Sequence, residues 1–298
     1  MAQEEVKRRT RLQDVVKQLR KNKSAMVGLG MMLTIVILCV GAPLFAPYSP
    51  HDSDLDRGLK PGFWSDDYLH GFILGTDYLG RDLFSRILYG GRVTLSVGFV
   101  ALGFAVVMGI LMGVSSGYFG GWVDNIVMRI VDIIFAYPAL LLALVVAGTL
   151  GRGIDKAMLA IGIVYTPQMA RVMRGAVLTI KEQEYIEAEH AIGSSTWRII
   201  FRHVLPNSMA PIIVYSTLML ATAILDAAAL GFLGVGAQAP SPEWGLALSI
   251  SRKYLVAGAW WAATFPGIAI LLSVISLNLL GDGLRDALDP RLKGGAKL

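Results

Sequence analysis

The sequence predicts an all-α polytopic membrane protein. Hydrophobic residues make up 54% of the 298-residue chain and charged residues only 16%, where a soluble domain carries roughly 25% charged residues. The apolar residues are gathered into blocks that approach or exceed the roughly 20 residues a helix needs to cross a bilayer. Basic residues collect on alternate connections between those blocks, the bias that orients spans in a membrane. A β-barrel would instead read as short alternating segments.

In chain order, six spans are predicted at about 25–46, 93–116, 126–149, 157–176, 209–231 and 262–281. The polar segment 1–24 holds Lys7, Arg8, Arg9, Arg11, Lys17, Arg20, Lys21 and Lys23. The apolar run after it is long enough to span and lacks a clear cleavage site, so it reads as a retained signal-anchor rather than a cleaved signal peptide. Its Cys39 is the single cysteine and forms no internal disulfide. The connection 47–92 is long and rich in aspartate, with Asp52, Asp54, Asp56, Asp66, Asp67, Asp77 and Asp82. It ends with Leu83, Phe84, Ile87 and Leu88 on one helical face, which predicts a helix lying in the membrane interface.

The second span places Ala105, Gly109, Gly113 and Gly117 four residues apart, and the fifth does the same with Ala223, Ala227 and Gly231. Small residues at this spacing let helix backbones approach closely in lipid. Packing within one bundle and contact with a second membrane subunit both suit these ridges. In the third span, Arg129 and Asp132 are spaced to pair with each other. The fifth span buries Asp226, either lining a translocation path or bonding across helices. The connection 232–261 is rich in Gly and Pro, and Gly281-Asp282-Gly283 reads as a helix stop.

The polar insert after the fourth span is the least loop-like connection. Glu184 to Ile192 is a compact helical stretch with Gly193 as its C-terminal stop. Ser194 or Ser195 is placed to cap a second short helix over Thr196 to Val204, and Pro206 precedes the fifth span. Such a pair, anchored to a span at each end, can transmit a rigid push, though an amphipathic surface helix on lipid headgroups is the plainer alternative. The insert adds Arg171, Arg174, Lys181, Arg198 and Arg202, and the tail adds Arg285, Arg291, Lys293 and Lys297. With an even number of spans, this bias places both termini and the insert in the cytoplasm. It also accounts for the net charge of +5 without a nucleic-acid partner.

The chain carries no phosphate-binding loop of the G-x-x-x-x-G-K-[ST] type and no paired-Cys or H-E-x-x-H metal set. His51, His70, His190 and His203 are scattered over connections. No catalytic residue, metal or cofactor is therefore assigned, and an intramembrane enzyme is disfavoured. An ion-driven carrier would need more buried ionisable groups than Asp226 and its few companions.

Four blocks in order carry a family resemblance. They are Leu74-Gly-Thr-Asp77-x2-Gly80-Arg-Asp82-x2-Ser85-Arg86, Glu187-Ala188-Glu189-x3-Gly193-x11-Leu205-Pro206, Ala228-Ala-Leu230-x-Phe232-Leu-Gly234-x-Gly236-x-Gln238 and Asn278-Leu-Leu-Gly-Asp282-Gly-Leu-Arg-Asp286-Ala-Leu-Asp-Pro290. The chain resembles the C-type permease subunits of binding-protein-dependent ABC importers of dipeptides and oligopeptides. It departs at Glu189, where the "EAA" motif has a second Ala, and at Ala239, where a Pro is common.

The resemblance implies the type I ABC importer permease fold in a bacterial or archaeal inner membrane. It implies a homologous second permease, two ATP-binding subunits that supply the hydrolysis, and an extracytoplasmic substrate-binding protein. Glu187, Ala188, Glu189, Gly193, Leu205 and Pro206 would couple to an ATPase subunit, with Glu187 in contact, Ala188 allowing close approach and Gly193 making the tight turn. The implied division is a basic segment 1–24, a first helix with its external loop 25–92, a permease core 93–281 containing the coupling loop 179–206, and a tail 282–298. Nickel, haem or glutathione are alternative cargoes in the same subfamily.

Overall fold

The computed structural model describes residues 11–288. Lys7, Arg8, Arg9, Arg291, Lys293 and Lys297, and Asp289-Pro290 of the last block, lie outside the described residues. Within them the fold is helical, with one isolated bridge between Thr76 and Asp82. The helices are α1 (Arg11–Lys21), α2 (Lys23–Val40), α3 (Ala42–Phe45), α4 (Leu83–Phe119), α5 (Gly121–Phe135), α6 (Ala139–Leu150), α7 (Ile154–Lys181), α8 (Glu184–Ala191), α9 (Thr196–Ile199), α10 (Leu205–Phe232), α11 (Trp244–Ser251) and α12 (Trp261–Leu288). Helices α2, α4, α10 with its α9 lead-in, and α12 are long and apolar enough to cross a membrane, and the α5–α6 pair counts as a fifth if taken as one span. The remaining predicted span is α7, whose 28 residues reach about 42 Å, longer than a bilayer core, but which is too polar to count among the apolar spans, so five of the six predicted spans are found by length and composition together.

Helices α4, α7 and α10 form the centre. A Cβ at Gly109 would overlap Met169, one at Gly113 would lie 2.5 Å from Met173 Cβ, and one at Gly117 would lie 2.9 Å from Val177 Cγ1. The contacts advance in step, so α4 and α7 run parallel along the glycine ridge. The ridge therefore packs against this chain's own α7, as small-residue faces do in lipid. The α10 ridge is likewise used internally: Gly231 abuts Glu243, and Gly245 of α11 lies on the Ala228 backbone.

Three expectations need correction. The third span is not one helix: α5 and α6 meet at 93°, because Pro138 has no N–H to continue the ladder and biases Tyr137 away from helix. The stretch from Leu83 is not a separate interfacial helix. Asp82 caps it by accepting from Ser85 N at 2.7 Å, and it runs unbroken into α4, with Leu83, Leu88 and Arg86 all buried. Gly281-Asp282-Gly283 is not a stop, since α12 continues to Leu288. A Cβ at Gly283 would collide with Ala25 of α2, and one at Gly281 would lie 2.6 Å from Leu218 of α10. The two glycines let three helices meet.

The long connection 47–82 forms a clasp at the end of the bundle away from the polar insert. Asp77 is buried and accepts from Leu79 N at 2.8 Å and Arg81 N at 3.1 Å. Its Oδ2 pairs with Arg81 at 2.7 Å and Arg86 Nε at 3.3 Å. Arg86 also donates to the carbonyls of Pro50 at 2.9 Å and Ser241 at 3.2 Å. One charge cluster thus ties the clasp, α4 and the 232–261 connection together. Glu243 completes the junction: it is buried, caps α11 through Gly245 N and Leu246 N, and accepts from Thr94 of α4 at 3.0 Å. Burial pushes its carboxyl above the usual range.

Candidate functional site

The polar insert is a rigid helix-turn-helix. Helix α8 ends in a Schellman turn: Ser194 N donates to Glu189 O and Gly193 N to His190 O, both at 3.0 Å. Gly193 holds φ +78°, a left-handed conformation that costs other residues about 1–2 kcal/mol. Nothing lies within 4 Å of the place a Cβ would occupy there, so conformation rather than space demands the glycine. Ile186, Ile199, Ile200 and Val204 are buried and seal the insert onto the bundle. Lys181 at the end of α7 donates to Tyr118 O of α4 at 2.8 Å.

The second helix of the pair does not stop before the fifth span, contrary to the sequence expectation. Thr196 to Phe232 is continuous, with a wide turn at Ile200–Val204 where Leu205 N–H reaches back to Ile200 O. The widened turn makes room for the Pro206 ring, which would otherwise collide with the carbonyl four residues earlier. The second helix of the insert and α10 are therefore one continuous helical element. Ser195 sits at the cap position but its side chain makes no capping bond.

Glu187 and Ala188 are exposed on α8, Leu205 is half-buried and Pro206 is exposed. Glu189 turns inward. Its Oε2 accepts from Ser194 Oγ at 2.5 Å and its Oε1 lies 3.3 Å from His203 Nε2. The carboxylate thus braces the two arms of the insert. The Ser194 hydroxyl, followed by the charges of His203, Arg198 and Arg202, holds the Glu189 carboxyl below its ordinary 4.5. A lowered folded-state value means the brace contributes fully above about pH 4.5 and is lost as pH falls through the lowered value. Glu189→Ala is expected to speed amide hydrogen exchange over Ser194–Ile199 while leaving the middle of α10 unchanged. Unaltered exchange there would contradict the brace.

Beside these residues stands an apolar surface that the sequence reading overlooked. Ile192 is 77% exposed, Trp197 63% and Phe201 62%. The two aromatic rings stack with centroids 5.9 Å apart. The available signal was their i, i+4 spacing on a helix whose opposite face holds Ile199.

Asp226 lies elsewhere, 20 residues beyond Pro206 and so about 30 Å further along the helix. Its Oδ2 accepts from Tyr165 Oη of α7 at 2.6 Å, so it does bond across helices. It also lines a cavity of about 360 Å³ with Tyr165, Gln168, Tyr215 and Thr222 among its walls. Tyr215 and Leu218 line both this cavity and a second, largely apolar one of about 750 Å³ that extends past Asn207 and Pro211 to Arg285. Residues 165, 168, 172, 176 and 179 of α7, and 207, 211, 215, 218, 222 and 226 of α10, form the facing stripes. Their three- and four-residue spacing was legible in the sequence.

Two ion pairs join α5 to α7. Asp132 pairs with Arg171 at 2.6 Å rather than with Arg129, because the Arg171 guanidinium is held 4.0 Å above the Phe135 ring. Asp124 takes both Nε and Nη2 of Arg174, at 2.7 and 2.6 Å. Among the described residues, no group of three or more His, Cys, Asp or Glu side chains is placed to hold a metal.

Comparison with known proteins gives consistent matches. Residues 105–294 match the family of binding-protein-dependent transport system inner membrane components, and residues 10–61 match the N-terminal transmembrane domain of oligopeptide transport permease C. The chain is 46% identical over 280 residues to the dipeptide transport system permease protein DppC of Alkalihalophilus pseudofirmus, covering 94% of this chain and 90% of the relative. It is 45% identical over 284 residues to DppC of Escherichia coli K12, covering 95% and 94%. It is 42% identical over 279 residues to the glutathione transport system permease protein GsiD of Pectobacterium atrosepticum, covering 92% and 89%. Among solved structures, an inward-facing MetNI methionine ABC transporter superposes with a TM-score of 0.55 at 21% identity, over 68% of this chain and 96% of that one. That likeness establishes the fold.

Proposed function

The chain belongs to the family of binding-protein-dependent transport system inner membrane components, and from that premise we propose that it forms one wall of an ATP-driven import path for dipeptides. It is a multi-pass membrane permease subunit rather than an enzyme. The DppC relatives, at 45–46% identity across nearly the whole chain, favour dipeptides over glutathione as cargo.

In this reading a second, homologous permease supplies the opposite wall, and two ATPase subunits sit beneath, one on each permease insert. An external binding protein delivers the peptide. The termini and the insert face the cytoplasm, and the clasp faces outward. Glu187 and Ala188 contact the ATPase subunit beside the exposed Ile192, Trp197 and Phe201. Gly193 fixes the angle between the arms, and Leu205 and Pro206 pass the movement into α10. Glu189 shapes the insert from within rather than gripping the partner. Each state of the cycle is favoured by whichever ligand binds it better, nucleotide below or loaded binding protein above.

The observation that carries this reading is the unbroken helix from Thr196 to Phe232, which joins the exposed insert to the wall bearing Asp226. Purified alone, the chain is expected to hydrolyse no ATP. Reconstituted with its partners, it is expected to import dipeptide only when ATP and binding protein are both present. Hydrolysis by the isolated chain, or import without ATP, would contradict the assignment.

A further inference from the structure

The cavity around Asp226 has a chemistry that packing alone does not explain. Among the described residues, Asp226 has one hydrogen-bond donor, the Tyr165 hydroxyl on Oδ2, and no cationic partner. A carboxylate held between membrane helices without a counter-charge is costly, and such groups mark substrate or ion paths. The uncharged polar groups around it are already arranged. Tyr215 Oη donates to Gln168 Oε1 at 3.2 Å, which leaves the Gln168 amide nitrogen uncommitted by that bond, and Gln168 and Thr222 both line the space.

We propose that this cavity is a transient cation subsite that takes the α-ammonium of a peptide as it passes along the α7–α10 wall. The proposal rests on the peptide-importer reading above. A single carboxylate with a tyrosine hydroxyl beside it suits a monovalent organic ammonium, whose N–H groups need two or three acceptors. It supplies too few oxygens for a divalent ion, which takes six or more. The volume of about 360 Å³ lies at the small end of ligand pockets, suited to the amino end of a peptide. Gln168 and Thr222 offer hydrogen bonds to a peptide backbone, the part shared by every cargo, so the site would not select among side chains. The wall then turns apolar through the larger cavity as far as Arg285. An ammonium released from Asp226 meets no second carboxylate among that cavity's lining residues, so the site holds the peptide only in passing.

The test uses the complete importer in proteoliposomes, with loaded binding protein in saturating amount and labelled dialanine as the probe. Asp226→Asn keeps an oxygen acceptor for Tyr165 and removes the charge, so a merely structural role would be preserved. The variant is expected to import dialanine about tenfold more slowly, the loss of one charge-assisted contact, with complex assembly and Tm unchanged. Asp226→Glu, which restores the charge, is expected to recover about half or more of the lost rate. Import by Asp226→Asn within about twofold of wild type would overturn the subsite while leaving the importer assignment intact, as would failure of Asp226→Glu to recover any rate. Absence of dialanine import by the wild-type complex would overturn the dipeptide reading itself, and the subsite with it.

Discussion

Trp197→Ala is expected to weaken binding of the ATPase subunit by about thirtyfold or more, the roughly 2 kcal/mol of a central aromatic anchor. Trp197 is 63% exposed, stacks on the equally exposed Phe201 and meets the Phe119 ring edge-on. Exposed aromatic residues near a bundle end also suit a membrane interface, where Trp and Tyr gather at the headgroups. The two uses predict different losses. If the pair anchors a partner, the variant still inserts and folds, but ATPase subunits no longer copurify with it at low concentration. If the pair lies in headgroups, copurification is unaffected. Titrating the purified permease pair with ATPase subunit separates these outcomes, and unchanged affinity would contradict the docking role.

Asp77→Ala is expected to cost about 3–5 kcal/mol, the usual result of removing one member of a buried charge cluster. Arg81 and Arg86 would be left facing each other, both 4% exposed, without the carboxylate that now bridges them at 2.7 and 3.3 Å. Arg86 also holds Pro50 and Ser241, so the clasp and the 232–261 connection should loosen together. A fall in Tm of roughly 10 °C in detergent is anticipated for a chain of this length. The effect should be structural, appearing in the isolated subunit without partners or nucleotide. A shift below about 2 °C would show that the cluster does not hold the clasp.

Much of the fold was legible because lipid imposes few solutions. Apolar blocks of the right length become helices, and the spacing of Ala105, Gly109, Gly113 and Gly117 identified a close-packed face. What that face meets was not legible, since a sequence does not say whether a ridge is satisfied by its own chain. The structure sets it against Met169, Met173 and Val177 of α7. The break at Pro138 carried a readable signal, but composition treats 126–149 as one apolar run.

The insert was legible as a helix pair with a glycine turn, because the Schellman turn is a local device. Its continuity into α10 was not, since Pro206 normally argues for a boundary and a single widened turn accommodates it. Glu189 was read as a departure on an outward-facing motif. Its partners Ser194 and His203 lie across the turn, and only the folded angle of the arms brings His203 within reach. The wall around Asp226 was half legible: the buried carboxylate stood out by its cost in lipid, while Gln168, Tyr215 and Thr222 are ordinary residues until two helices face each other. Asp124 and Arg174, 50 residues apart, left no local signal at all.

The central claim is that the insert passes movement from an ATPase into the transport wall. It is tested most directly by counting peptides imported per ATP hydrolysed in proteoliposomes carrying Gly193→Val. The Cβ it adds has open space, with nothing within 4 Å, but it disfavours the left-handed turn by about 1–2 kcal/mol and so changes the angle between the arms. The account predicts a complex that assembles and hydrolyses ATP while importing several-fold fewer peptides per ATP. An unchanged ratio of import to hydrolysis would contradict it.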